Sequence, residues 1–240
     1  NRQDAKVRRM ALPGRRVISF GLDAPPAATD FGLLQQGGEL WLAQGEQCLL
    51  PLSRLPMQGL HNAANVMAAL ALCVSLGYDV QELLPAVLSF QGLPHRVEKV
   101  TEINGVSWYD DSKGTNVGAT VAALTGLGGT QDRKIVLIAG GDGKGQDFSP
   151  LASAVAQCAR AVVLIGRDGP LIGKVLKELG MPLIFASDMS DAVQQANALA
   201  QKNDAVLLSP ACASFDMFRD YQHRAEVFIA AVHRLMKAPA

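Results

Sequence analysis

Short apolar runs and longer helical patterns alternate along the chain after Pro94, and this alternation indicates strands followed by helices. The runs predict strands at 97–101, 106–109, 134–139, 161–165, 182–185 and 204–208. The segments between them predict helices at 117–124, 149–156, 170–179, 189–200 and 215–236. Such alternation is typical of an α/β domain with a mainly parallel sheet.

The apolar runs at 135–139 and 162–165 are continuous rather than alternating, as in strands that helices cover on both faces. Asn104-Gly105 separates the first two strands so closely that we expect them to form an antiparallel hairpin at one sheet edge. The predicted fold is therefore a Rossmann-like, doubly wound α/β domain. In such a sheet, ligands bind beyond the carboxyl ends of the strands.

The first part of the chain shows a different pattern. It predicts a strand at 16–21, a hairpin of strands 39–42 and 47–52, and helices at 63–76 and 80–90. Asn62 is suited to be the N-cap of the first helix and Gly77 to end it. Gly92-Leu93-Pro94 interrupts the pattern, so we place a domain boundary there, with domains at 1–93 and 94–240.

Composition and charge exclude several classes of protein. The residues are 49% hydrophobic and 18% charged, which suits a chain able to bury a core. The 22 basic and 22 acidic residues cancel, so nothing favours a nucleic-acid partner or an anionic membrane. The four cysteines are far apart with no C-x-x-C pair, which favours free thiols in a reducing compartment, and we expect a cytoplasmic location. No apolar run approaches the roughly 18 residues of a membrane span.

Polar residues collect in four loops that directly follow predicted strands. These loops are Asp110-Asp111-Ser112-Lys113, the glycine-rich stretch 140–145 around Lys144, Gly166-Arg167-Asp168-Gly169, and the stretch 209–214 that ends at Ser214. In a parallel sheet they meet at one edge, so we expect a single polar cleft. The loop before the helix at 117 has the character of an anion site, with free N–H groups at a helix N-terminus and a mobile lysine.

Each loop also has a simpler interpretation. The first is compatible with an ordinary polar turn, and stretch 140–145 with a tight glycine-rich turn, because it matches neither a Rossmann fingerprint nor a Walker A motif. Ser214 is suited to cap the helix predicted at 215, or that helix N-terminus could bind a carboxylate. Arg96 could meet a phosphate or pair with Glu98. Asn65 lies inside a helix, where asparagine carries a propensity cost.

Taken together, these motifs resemble those of the Mur ligase family, over essentially the whole chain. The motifs are His61-Asn62-x-x-Asn65-x-x-Ala68-Ala69, Leu93-Pro94-His95-Arg96-x-Glu98, the run from Asp110 to Asn116, Gly140-Gly141-Asp142-Gly143-Lys144, and the run from Ser209 to Asp216. The first motif is shared with folylpolyglutamate synthases. The last two are similar to those of the family members that add D-glutamate.

The resemblance implies that residues 1–93 are the end portion of a central ATPase domain and residues 94–240 an amino-acid-binding domain. It implies ATP-dependent amide formation in peptidoglycan precursor synthesis, in which D-glutamate joins UDP-N-acetylmuramoyl-L-alanine through an acyl phosphate. By the same resemblance, Asn62, Asn65, Arg96, Asp111 and Lys113 contact ATP. The D-glutamate side is implied for a second set: Thr115, Lys144, Ser214, Phe215 and Tyr221. Lys113 and Lys144 are the implied catalytic residues, and we expect a monomer.

Other features of the family are absent from this sequence. Because the chain begins at Asn1 and holds no P-loop, we expect it to be a fragment without its own turnover. The resemblance implies that Mg²⁺ is required, with ligands outside this chain and none within it. Two alternatives remain open. One is another amide ligase of the superfamily, including folylpolyglutamate synthase, and the other is a non-catalytic module that binds a small ligand.

Overall fold

The chain divides into two units, Asn1–Gly92 and Leu93–Ala240, in a computed structural model that describes residues 1–57, 59–128 and 133–237. The first unit holds an antiparallel sheet in the order β1 (Phe31–Gln36), β2 (Glu39–Gln44) and β3 (Gln47–Pro51). Its helices are α1 (Ala5–Arg8), α2 (Leu60–Ser75) and α3 (Val80–Ser89). Side chains of the sheet, including Phe31 and Leu42, form a core with Met67 and Leu70 of α2.

The hairpin and both helices of this unit were predicted correctly, but three details were not. Residues 16–21 form no strand and contribute only a bridge from Phe20 to Phe31, and β1 was not predicted. Asn62 is not an N-cap, because α2 begins at Leu60 with Gly59 in the cap position. Gly77 follows the helix with a φ of 98°, as expected for a glycine that ends a helix.

The second unit is a six-stranded α/β sheet, as predicted. Its strands are β4 (Glu98–Ile103), β5 (Val106–Asp110), β6 (Ile135–Gly140), β7 (Ala159–Ile165), β8 (Leu183–Phe185) and β9 (Ala205–Leu208), in the order β4-β5-β9-β6-β7-β8. Its helices are α4 (Val117–Leu127), α5 (Leu151–Cys158), α6 (Gly169–Leu176), α7 (Met189–Leu199) and α8 (Tyr221–Lys237). In this sheet β4 and β5 pair antiparallel and form the predicted edge hairpin, and the other strand pairs of the described residues are parallel.

Both faces of this sheet are buried, which explains the continuous apolar runs. Ile135 and Leu137 belong to a core formed with α4, α5 and α6, whereas Val136 and Ile138 belong to a core formed with α7 and α8. Each of these four side chains is fully buried, and burial of one such side chain is worth about 1.5–3 kcal/mol. The strands are therefore a rigid base for the loops that follow them.

The register of the strands brings the predicted polar loops to one edge of the sheet. Leu208 pairs with Asp110 on one side and with Ile138 on the other. Gly140 pairs with Ile165 on the next strand. The chain therefore leaves β5, β9, β6 and β7 at one edge, as the sequence predicted. No helix within the described residues is long and apolar enough to cross a lipid bilayer.

Candidate functional site

Asp111 directly follows β5 at the carboxyl edge of the sheet and is 5% exposed. Its Oδ2 accepts a hydrogen bond of 2.6 Å from Ser209 Oγ, which joins the loop after β5 to the loop after β9. Gly114 makes this contact possible, because a Cβ atom there would overlap the Asp111 carboxylate and lie 2.9 Å from Ser209 Oγ. The two loops are therefore fastened together through a buried carboxylate.

Burial raises the pKa of Asp111 from 3.8 to about 6. The hydrogen bonds from Ser209 and from the Val97 backbone favour the ionised form, and the nearby Arg96 does so more weakly. The neighbouring Asp110 opposes ionisation. Because desolvation is the largest of these effects, the folded protein holds a proton on Asp111 more tightly than the unfolded chain does.

This raised pKa makes stability depend on pH. Protonated Asp111 favours folding, so its contribution is fully present below the unfolded pKa of 3.8 and is lost as pH rises through about 6. We expect wild-type stability relative to Asp111→Asn to fall by about 2 kcal/mol between pH values of about 4.5 and 7. Urea unfolding of both proteins across this range measures the difference. A difference that does not change with pH would contradict the raised pKa.

Lys113 follows in the same loop and is exposed. Its backbone N–H donates to the His95 carbonyl at 3.1 Å, and its Nζ lies 3.9 Å from the centre of the Tyr221 ring. His95 meets that ring edge-on at 6.1 Å and is hydrogen-bonded through Nδ1 to the fully buried Asp110 at 2.7 Å. Lys113 and Tyr221, distant in sequence, thus lie together.

Lys144 occupies the loop after β6, and its backbone N–H donates to Asp142 Oδ1 at 2.9 Å. Its Nζ lies 5.7 Å from the centre of the Phe215 ring. Gly141 allows this loop to approach the loop after β9, because a Cβ atom there would overlap the Ala213 carbonyl oxygen. The structure therefore brings the predicted residues Lys144 and Phe215 together.

Ser214 is buried, but the prediction that it caps a helix beginning at Phe215 is wrong. Helix α8 begins six residues later, at Tyr221, and Asp220 Oδ1 accepts from the His223 backbone N–H as its cap. The Ser214 carbonyl instead accepts N–H bonds from Met217 and Phe218 in a single turn. Residues 215–220 are compatible in composition with a helix, so a helix was predicted to begin there. The chain instead forms a single turn at Ser214 and begins α8 only at Tyr221.

The remaining predicted residues lie in less enclosed positions. Thr115 is half-buried and comes just before Asn116, the N-cap of α4. Arg96 is exposed, and within the described ranges it forms no ion pair with Glu98, which instead accepts from the His95 backbone N–H at 2.9 Å. Asn62, half-buried, and Asn65, exposed, lie on α2 in the first unit.

Arg224 of α8 is a residue that the sequence did not reveal. Its side chain is fully buried, and its guanidinium donates to the Cys212 carbonyl at 3.1 Å and to the Ser112 carbonyl at 2.9 Å. Burial lowers the pKa of Arg224 from 12.5 to about 10, although nearby Asp216, Asp110 and Asp111 favour the charged form. Arg224 therefore connects the loops after β5 and β9 through two buried hydrogen bonds.

Three groups near the site come close enough together to hold a metal ion: His95, Glu98 and Asp110 each place one ligand atom within 4.8 Å of the others. Mg²⁺ prefers an octahedral set of oxygen ligands. This set includes a histidine nitrogen, and Asp110 already accepts hydrogen bonds from His95 and Ser112. The arrangement does not fit Mg²⁺, and we interpret it as a hydrogen-bonded cluster.

The cysteines behave as predicted. All four are free, and Cys158 and Cys212 are buried. Burial raises the pKa of Cys212 to about 12, so this thiol is not a nucleophile at neutral pH.

Comparisons with known proteins show which family the chain resembles. Residues 95–212 match the family model for the Mur ligase glutamate ligase domain. The chain is 60% identical over 242 residues to the UDP-N-acetylmuramoylalanine–D-glutamate ligase of Aromatoleum aromaticum, covering 100% of this chain and 51% of that protein. It is 59% identical over 237 residues to the enzyme of the same name from Methylobacillus flagellatus, covering 99% and 51%. The chain thus spans about half the length of these curated relatives.

Solved structures share the fold at low sequence identity. UDP-N-acetylmuramate-alanine ligase MurC from Thermotoga maritima aligns with a TM-score of 0.61 at 21% identity, over 90% of this chain and 47% of that one. Folylpolyglutamate synthase from Mycobacterium tuberculosis, complexed with ADP and AMPPCP, aligns with a TM-score of 0.61 at 17% identity, over 82% and 48%. The segment 95–212 therefore belongs to the glutamate ligase domain of the Mur ligase family.

Proposed function

We propose that this chain is the part of an ATP-dependent amide ligase that binds the incoming amino acid and one side of the nucleotide. The longer protein would join D-glutamate to UDP-N-acetylmuramoyl-L-alanine in peptidoglycan precursor synthesis. Residues 1–93 would be the end of its central ATPase domain and residues 94–240 its amino-acid-binding domain. The protein would act as a monomer in the cytoplasm.

The observation that carries this proposal is that two loops bearing a lysine, after β5 and after β6, leave the same carboxyl edge of the sheet on either side of β9. Lys113 and Lys144 project from the loops after β5 and β6, and Asp111 fastens the first of these loops to Ser209. An enzyme that transfers phosphate and binds a dicarboxylic amino acid needs positive charge held by rigid elements. This edge supplies that arrangement in a protein without net charge.

In the proposed reaction, a carboxylate oxygen of UDP-N-acetylmuramoyl-L-alanine attacks the γ-phosphorus of ATP, and ADP leaves. The D-glutamate amine then attacks the acyl phosphate carbon, loses a proton, and expels inorganic phosphate as the amide forms. Lys113 would stabilise negative charge on the transferring phosphoryl group and on the tetrahedral intermediate. Lys144 would pair with a D-glutamate carboxylate.

The other residues would orient the two ligands. Asp111 would accept hydrogen bonds from the ribose, and Arg96 would contact phosphate. Asn62 and Asn65 would contact the adenine. The D-glutamate would lie among Thr115, Ser214, Phe215 and Tyr221. Mg²⁺ would supply further neutralisation of phosphate charge when bound; its ligands are not assigned to this chain.

The test is an amino-acid panel with the longer protein, ATP and UDP-N-acetylmuramoyl-L-alanine, in which product formation is followed by mass spectrometry. We expect D-glutamate to be the preferred acceptor. Preference for L-glutamate with a folate would instead identify a folylpolyglutamate synthase. If the longer protein keeps its turnover unchanged with Lys113→Ala and Lys144→Ala, this chain would instead be a module that binds a small ligand without taking part in catalysis.

The 240-residue chain assayed by itself is expected to show no ligase turnover, because it holds no P-loop to cradle the transferring phosphate. The measurement is ADP release with all substrates present, in a preparation shown by mass spectrometry to be free of host ligase. Turnover by the purified chain would contradict the proposal that the transferring phosphate is bound by a part of the longer protein outside this chain.

A further inference from the structure

Lys113 has one contact at each end, His95 at its backbone and Tyr221 at its ammonium. Its backbone N–H donates to the His95 carbonyl at 3.1 Å, and its ammonium lies 3.9 Å from the centre of the Tyr221 ring, well within the range of about 6 Å for a cation–π contact. Within residues 1–57, 59–128 and 133–237, Lys113 forms no ion pair with a carboxylate. The ring face is therefore the contact that directs its charge.

The Tyr221 ring is itself fixed in place. His95 meets it edge-on at 6.1 Å, with an angle of 73° between the rings, and His95 is anchored to Asp110. One turn further along α8, Arg224 donates to the carbonyl of Ser112, the residue before Lys113. The start of α8 thus contacts both the backbone of this loop and the ammonium of Lys113.

The Tyr221 hydroxyl makes no hydrogen bond to another described residue, so the ring rather than the hydroxyl carries the contact with the loop. We propose that Tyr221 is a positioning residue, which holds the Lys113 ammonium through the face of its ring. This inference rests on the proposed function, which assigns Lys113 its catalytic role. It also changes the expectation for Tyr221, whose main effect is then on Lys113 rather than on D-glutamate.

A spectroscopic test on the 240-residue chain requires no turnover. Lysines are reductively methylated with ¹³C, which preserves their charge, and Lys113→Arg identifies the Lys113 methyl signal. We expect ring current to shift that signal upfield in wild type and in Tyr221→Phe, and the shift to disappear in Tyr221→Leu. Tyr78→Leu, at an exposed tyrosine, is the matched control and should leave the signal unchanged. A signal unaffected by Tyr221→Leu would overturn the contact.

A kinetic test on the longer protein addresses the positioning role. An exposed cation–π contact is worth about 0.5–1 kcal/mol, so Tyr221→Leu should lower kcat/KM about 2–5-fold, and Tyr221→Phe, which keeps the ring, should lower it less. In a Lys113→Ala background, Tyr221→Leu should have no further effect, because the ring acts through the lysine. An additive effect with a raised KM for D-glutamate would overturn positioning in favour of substrate contact. Absence of D-glutamate ligation in wild type, with the upfield shift intact, would refute the proposed function and leave the contact standing.

Discussion

Replacing Arg224 by methionine is expected to lower the free energy of unfolding by about 4 kcal/mol, because it leaves two buried carbonyls unpaired. These carbonyls belong to Ser112 and Cys212, and each now accepts a bond from the guanidinium. An unsatisfied buried polar group costs about 1–3 kcal/mol. Methionine fills part of the same space but offers no donor, so packing cannot compensate.

Charge adds to this cost. Asp110, Asp111 and Asp216 all favour the charged form of Arg224, which remains cationic at neutral pH with a pKa of about 10. Without that cation, the neighbouring carboxylates lose a nearby positive charge in a poorly solvated region. Lysine at the same position would keep the charge but could not present the planar fork that reaches two carbonyls. Arg224→Lys should therefore recover only part of the lost stability.

Urea unfolding of the 240-residue chain, followed by fluorescence and circular dichroism, measures the change. Arg234→Met is the matched control, since Arg234 is an exposed arginine of the same helix and should change stability by no more than about 0.5 kcal/mol. If the two units unfold separately, the comparison applies to the transition of the second unit. Equal stability of the two variants would contradict the structural role of Arg224.

An element of this fold could be predicted from the sequence when its signal lies within a short stretch of the chain. The strands at Ile135–Gly140 and Ala159–Ile165 were predicted closely because their continuous apolar runs have few alternatives in a chain of this length. The edge hairpin was predicted because Asn104-Gly105 leaves room for only a tight turn, and both residues adopt positive φ. The sheet edge that carries the polar loops then follows from the parallel arrangement.

Nonlocal features could not be predicted in this way. Phe31–Gln36 lacks the alternation of a strand and becomes one by pairing with Glu39–Gln44. In the sequence, Arg224 looks like an ordinary polar position of a helix. It is buried because it lies against two loops that are distant from it in sequence. The contact between Lys113 and Tyr221 joins residues from opposite ends of the domain, so no local pattern indicates it.

Replacing Lys113 by alanine in the longer protein is expected to lower kcat/KM by about 10²–10³-fold, as is typical when a preorganised charge that stabilises a transition state is lost. In the structure the backbone of this lysine is bonded to His95, and its ammonium lies 3.9 Å from the centre of the Tyr221 ring. Because its charge would act on the transferring phosphoryl group, the loss should appear in kcat, with little change in the KM for D-glutamate.

The measurement is steady-state kinetics of ADP release with each substrate varied in turn, together with a stability comparison that excludes unfolding as the cause. Lys174→Ala is the matched control, since Lys174 is an exposed lysine on α6 of the same domain and should leave the kinetics unchanged. Lys113→Arg keeps the charge but replaces a compact ammonium by a planar fork, so partial recovery is expected. A Lys113→Ala enzyme with wild-type kcat would remove Lys113 from the reaction and leave its contact with Tyr221 a structural one.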